Sequence, residues 1–366
     1  MDVKPQFDEF LRDIRLSRSQ IDDLKTGHST LRDRLSADAA LKSILISDFL
    51  QGSYRRYTAV RPKNGKRADV DVVVVTNLDE EKYAPQQAMN LFKPFLEQHY
   101  AGKWRFQGRS IGIELSYVDL DIVLTSAPSE IVREAVLAES VRDDAAVDEL
   151  FETIKLREAG GQSEPAWKGS PLRIPDRDAR EWDDTDPLAQ LRKTWDKNKQ
   201  TDGLYVNVVK AIKWWRLVNS EVSQPKGYPL EHLVFLACPQ GIDSVADGVT
   251  RSLEGIVSTY SAHAAAEQTP FVPDHGVPGH NVLRRVSGAD FRKFHERVRR
   301  AAQLARAALE APTAKESCDK WRELFEQFPE PPTQDRGGDG GGSKGPSKGG
   351  YTPPVAPSNP RTERFA

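Results

Sequence analysis

Asp69-Val70-Asp71-Val72-Val73-Val74-Val75 sets two acids at the head of an unbroken apolar run, sixteen residues after Gly52-Ser53. In an extended strand, side chains two apart share a face, so Asp69 and Asp71 present their carboxylates side by side. Aspartate is disfavoured inside strands and like charges repel. The pattern therefore calls for a hard cation such as Mg2+, which prefers oxygen ligands. Upstream, a Gly-Ser turn offers close backbone approach, N–H donors and a hydroxyl, which together suit a triphosphate. Each half alone is common, because Asp-x-Asp recurs on solvated edges and Gly-Ser in ordinary turns. A third carboxylate strengthens the case. In Ile111 to Thr125 the composition is strand-like, and Asp119 and Asp121 interrupt it on one face. Asp121 is the preferred third acid, since Ile122-Val123-Leu124 follows it as Val72 to Val75 follows Asp71. Asp119 stays open as the alternative, as does an exposed sheet edge carrying both.

The chain has 366 residues, enough for two lobes and a tail. Its formal net charge of -2 is spread along the sequence, which argues against a dedicated duplex-binding protein. Two isolated cysteines, Cys238 and Cys318, cannot build a disulfide framework or a zinc module and read as buried apolar residues. No apolar run reaches membrane-spanning length and the first residues lack a secretion pattern, so a soluble cytoplasmic protein is expected. The histidines are scattered without ligand spacing, His275 and His280 included.

Along the chain, Phe7, Leu11, Ile14, Ile21 and Leu24 recur at helical spacing and predict an N-terminal helix, followed by another over about 28 to 45. A strand at Ile46 to Leu50 leads into Gly52-Ser53, and polar Arg61 to Arg67 reads as a loop before the Asp69 strand. Helix is expected at 80 to 99, strand at Trp104 to Gln107 and Ile111 to Thr125, and helix at 130 to 158. A Gly-, Pro- and charge-rich connection over about 159 to 186 then separates a mostly helical lobe. There Tyr205, Val208, Val209 and Ile212 form an apolar stripe with Lys210 and Lys213 at its border. Further helices are expected from about Tyr228 and over 288 to 327. From about 329 the Pro- and Gly-rich sequence cannot bury enough apolar surface to offset its ordering entropy and reads as disordered. The expected division is 1–160, 161–328 and a tail, 329–366.

Five blocks, met in order, resemble the cGAS/DncV-like nucleotidyltransferases of bacterial CBASS anti-phage systems over nearly all of residues 1 to 325. They are Gly52-Ser-Tyr-Arg-Arg-Tyr-Thr58, Asp69-Val-Asp71, Val118-Asp-Leu-Asp-Ile-Val-Leu124, Val209-Lys-Ala-Ile-Lys-Trp-Trp-Arg216 and Lys226-Gly-Tyr-Pro-Leu-Glu-His-Leu233. Pro273-Asp-His-Gly-Val-Pro-Gly-His-Asn-Val282 is similar to a further Asp-then-Asn stretch. The resemblance implies an α+β fold: a polymerase-β-like α/β core plus a helical, oligoadenylate-synthase-like C-terminal lobe. It implies that Asp69, Asp71 and Asp121 hold two Mg2+ ions, with Mn2+ as a substitute, and carry catalysis. Gly52 and Ser53 would grip a donor triphosphate, Lys213 would touch it from the helical lobe, and Tyr228 would stack on a base.

The implied activity joins ATP and other nucleoside triphosphates, GTP among them, into a cyclic di- or trinucleotide that activates a downstream effector. A ubiquitin-transfer-like conjugating partner at the C-terminal tail is also implied. Departures are Gly227, where relatives often carry a phosphate-binding serine, Tyr57 before Thr58, and the lack of a cysteine-histidine insert like the zinc ribbon of animal cGAS. No obligatory duplex nucleic acid is expected. A linear oligoadenylate or nucleotidyl-adding transferase, and a catalytically silent nucleotide-binding regulator, are the alternatives.

Overall fold

The computed structural model describes residues 3–127, 172–219, 221 and 223–331. The helix expected at 130 to 158 and the tail beyond 331 lie outside the described residues. A mixed sheet is the platform for the site. Its strands are β1 (Leu45–Gln51), β2 (Asp69–Thr76), β3 (Trp104–Phe106), β4 (Ile111–Glu114) and β5 (Asp119–Ser126), in the order β1-β2-β5-β4-β3. Two more strands, β6 (Leu172–Asp176) and β7 (Glu181–Thr185), form a hairpin that joins β5. The connection expected at 159 to 186 therefore contains part of the sheet, and the contacts gather Met1–Pro331 into one unit.

β2 and β5 run parallel and in register, Asp69 beside Asp119 and Asp71 beside Asp121; every other pairing is antiparallel. Strand β2 is apolar on both faces because both are covered. Val70, Val72 and Val74 enter the main core, while Val73 and Val75 join Phe49, Leu172 and Leu188 in a smaller cluster on the other face. Residues of one parity share a face, so all four aspartates lie on the side of the smaller cluster, at the strand ends where it stops.

Several boundaries differ from expectation for identifiable reasons. The N-terminal helix ends at Ile14 (α1, Lys4–Ile14), and α2 (Arg18–Ala37) starts anew at a capping box: Ser17 Oγ accepts from Gln20 N, and Ser17 N donates to the Gln20 side chain. The run from 111 to 125 is too long for one strand and folds back at Leu115–Val118, where Leu115 N donates to Val118 O. Residues 80 to 99 split into α4 (Pro85–Asn90) and α5 (Lys93–Tyr100), while α3 (Gly52–Arg55) is a single turn.

The helical part comprises α6 (Pro187–Gln200), α7 (Tyr205–Val218), α8 (Gly227–Ala237), α9 (Val245–Ala265), α10 (Gly288–Leu309) and α11 (Ala314–Phe325). The helix expected over 288 to 327 is thus two, with Thr313 capping the second. Phe7 and Phe10 of α1 pack on Trp321 and Phe325 of α11, with Phe7 edge-on to Trp321 at 4.9 Å. Both cysteines are buried. No described helix is long and apolar enough to cross a membrane.

Candidate active site

Gly52 closes β1 into a turn at φ +80°, a conformation that favours glycine. A Cβ built there would fall 1.7 Å from Asp71 Oδ2, so the glycine is required twice over, by its backbone and by the carboxylate lying against it. This contact joins the two sequence blocks at atomic range. The Ser53 carbonyl accepts from Thr58 N at 2.9 Å and Ala59 N at 3.0 Å, which folds the segment into a closed loop. Tyr57 within it holds a φ of 58°, left-handed for a non-glycine residue.

Asp71 and Asp121 lie side by side on β2 and β5. Burial, then repulsion from Asp69 and Asp121, pushes the Asp71 carboxyl up to about 7. Burial and the neighbouring Asp69 push Asp121 up to about 6. Burial also raises Asp69, against the pull of Lys213. Asp119 is differently engaged, its Oδ1 2.7 Å from Arg67 Nε and NH2. The geometry thus separates the two candidates for the third acid: Asp121 is beside Asp71, and Asp119 is held by a guanidinium at the strand entrance.

Across from these acids sits a second, opposite arrangement. Glu231 of α8 is buried and receives Arg56 Nε at 3.2 Å, Lys213 Nζ at 2.9 Å and Thr58 Oγ1 at 3.1 Å. Burial works against its charge, but Arg56 and Lys213 outweigh that and bring it down to about 2. Two cations against one carboxylate leave this cluster with a net positive charge beside a net negative one.

Lys213 therefore stands near the acids, in an ion pair that the sequence did not indicate. Tyr228 is also more constrained than expected. Its hydroxyl donates to Asp274 Oδ2 at 2.6 Å and accepts from Gln190, while the Arg56 guanidinium lies 5.8 Å from the ring centre and His232 meets it edge-on at 4.4 Å. Arg56, Gln190, Thr194 and Tyr205 line a small cavity with it.

Glu231, Arg56 and Gln190 were missed as site residues. Glu231 did carry a signal, a lone acid between Leu230 and Leu233 in an apolar helix, since such a charge needs a partner. Arg56 and Gln190 carried none, because their partners are distant in sequence.

Comparisons with known proteins identify the family. Residues 1–125 match the Second Messenger Oligonucleotide or Dinucleotide Synthetase domain. A cyclic AMP-AMP-GMP synthase of Enterobacter hormaechei is 44% identical over the whole of both chains. The chain belongs to the cGAS/DncV-like nucleotidyltransferases. A more distant relative, a cyclic AMP-AMP-AMP synthase of an Acinetobacter species, is 28% identical over 90% of this chain and 86% of its own. Among solved structures, the Bradyrhizobium diazoefficiens CdnG in complex with GTP aligns with a TM-score of 0.63 at 14% identity, covering 87% of this chain and 94% of that one. The α+β, polymerase-β-like fold is that of this family. As a cGAS/DncV-like nucleotidyltransferase, the chain is a cyclic oligonucleotide synthase, which favours that reading over the linear and silent alternatives.

The donor set also suits the metal that the family implies. Asp69, Asp71 and Asp121 supply only oxygen, share one charge sign and are raised by burial and mutual repulsion, the conditions a hard divalent cation relieves. Among the described residues, no three His, Cys, Asp or Glu side chains already form a metal cage.

Proposed function

We propose that this synthase joins ATP and GTP into a cyclic trinucleotide of the AMP-AMP-GMP type in the bacterial cytoplasm, with release of pyrophosphate. Asp69, Asp71 and Asp121 would hold two Mg2+ ions, with Mn2+ as a substitute. The in-register pairing of Asp71 with Asp121, with Gly52 pressed against Asp71, carries the reading. The full-length likeness to a cyclic AMP-AMP-GMP synthase supports the choice of product.

When bound, Mg2+ supplies charge neutralisation at the leaving pyrophosphate and acidifies the attacking 3'-hydroxyl. The chain's own residues do the rest. Gly52 and Ser53 bring backbone close to the donor triphosphate, because no side chain stands between the loop and Asp71. Lys213 from α7 and Arg56 from the Gly-Ser loop would face the same anion, both held in position by Glu231. Asp121, in register beside Asp71, would help remove the hydroxyl proton. Tyr228, aligned by Asp274, offers its ring to a base, a contact any base can make. Release of the product to a downstream effector places the reaction in anti-phage signalling.

Incubating the full chain with Mg2+ and labelled ATP and GTP tests this reading. A phosphatase-resistant product with the mass of a cyclic trinucleotide containing both bases is expected. Phosphatase-sensitive products would show a linear transferase instead.

A further inference from the structure

The β3–β4 connection reaches Asp121. Gln107 Nε2 donates to Asp121 Oδ1 at 3.0 Å. Ser110 Oγ lies 3.1 Å from Gln107 Oε1 and 3.4 Å from Asp121 Oδ1. One hydroxyl hydrogen serves one acceptor at a time, and the shorter contact is to the amide oxygen. That bond fixes which way the amide points and so aims Nε2 at the carboxylate. The turn itself is closed by Gln107 N donating to Ser110 O at 2.8 Å. Outside, it is anchored to β6: Arg177 N donates to Gly108 O at 2.8 Å, and Arg109 Nε donates to the buried Asp176 at 2.7 Å.

Gly112 completes the arrangement. It sits opposite Asp121 on the β4–β5 ladder, and a Cβ there would fall 2.3 Å from Gln107 Nε2 and 3.3 Å from Asp121 Oδ1. Glycine is usually weak in a strand, and one that leaves room for a side-chain contact has a positional reason. Among the described residues Asp121 Oδ2 has no hydrogen-bond partner, so one carboxylate oxygen is anchored and the other is left over.

We infer that Gln107 is a positioning residue for Asp121: its amide, aimed by Ser110 and admitted by Gly112, locks one carboxylate oxygen so that the other meets the metal. This rests on the proposed role of Asp121 as a metal ligand. A neutral donor suits the task, since a cation here would compete with the metal for the carboxylate and an acid would repel it. Residues that orient a ligand are commonly worth as much as tenfold or more in metal affinity.

Two single variants and their combination test it on the full chain. Gln107→Ala removes the donor. Gly112→Ala leaves Gln107 in place but displaces the end of its flexible side chain, at little cost to the strand. Mn2+ binding is read from loss of the free-ion resonance in the presence of a nonhydrolysable ATP analogue, and turnover from Mg2+ titrations at saturating nucleotides. Each variant is expected to weaken Mn2+ binding and raise the Mg2+ half-saturation about tenfold, with the KM for ATP within about twofold of the parent. The double variant is expected to be no worse than either single, because both break one contact. Mn2+ binding unchanged in both variants, or effects that add, would overturn the inference. Should Asp71→Asn be inactive while Gln107→Ala binds Mn2+ normally, only this inference fails; should Asp71→Asn and Asp121→Asn both stay active, the reading of the acids fails first.

Discussion

Two groups of carboxylates face each other in this molecule, and their environments are opposites. Asp69, Asp71 and Asp121 are desolvated beside one another and held above the normal carboxylate range. Glu231 is just as sequestered, yet the cations Arg56 and Lys213 bring it below that range. The first group is a charge imbalance that proton uptake or an incoming cation relieves. The second is already settled and works as a strut between the Gly-Ser loop and the helices. Burial alone therefore does not set the charge state of a carboxyl; the groups buried with it do.

The comparison breaks most visibly under single substitutions. Asp71→Asn is expected to lower product formation by about a thousandfold or more, as loss of a member of a reacting constellation does. The same change should raise the melting temperature of the metal-free protein by a few degrees, since it removes a repelling charge. Calorimetry in chelator beside a product assay checks both, and a lower melting temperature would mean the acids are not in conflict. Glu231→Gln should move the other way, costing about 3 kcal/mol in urea unfolding, because it leaves Arg56 and Lys213 without their counter-charge.

The two groups should also respond to pH in opposite windows. Asp71 rises to about 7 on folding from a normal value of 3.8, so between those values the folded chain binds more protons than the unfolded one. The contribution of Asp71 to the stability of the metal-free protein is then greatest below pH 3.8 and is lost as pH rises towards about 7. Glu231 falls from 4.5 to about 2, so its contribution is present above pH 4.5 and is lost as pH falls towards 2. Urea midpoints of the parent and Asp71→Asn, compared across pH in chelator, should converge on acidification below about pH 4. Saturating Mg2+ should remove the gap at neutral pH.

The smallest effect is expected at Gly227. A Cβ there meets only Lys213 Cε, at 3.9 Å, so Gly227→Ser fits without rearrangement. The added hydroxyl should lower the KM for the donor nucleotide about threefold, a net gain within the range of one hydrogen bond. An unchanged KM would show that the triphosphate is held without this position.

Much of this was legible in the residues. The acids announced themselves by breaking apolar strand patterns, and the Gly-Ser turn by its distance from them. What could not be read was pairing across the sheet. Nothing in Asp69-Val-Asp71 states that β5 lies parallel and unshifted beside it, because strand neighbours are chosen by the folded chain. One local signal was legible too: Ser17 and Gln20, three residues apart, form a capping box that splits the expected N-terminal helix. Glu231 could be seen as an oddity in an apolar helix, whereas Arg56 and Gln107 had no anomaly, being polar residues in polar stretches.

The unshifted parallel ladder between β2 and β5 works like a vernier with a single useful setting. Side chains alternate faces, so one inserted or deleted residue in either strand would send Asp71 or Asp121 to the opposite side and silence the enzyme without unfolding much else. A shift of two would bring Asp119, already tethered by Arg67, alongside Asp71. Within the ladder the count of residues is itself a structural constraint.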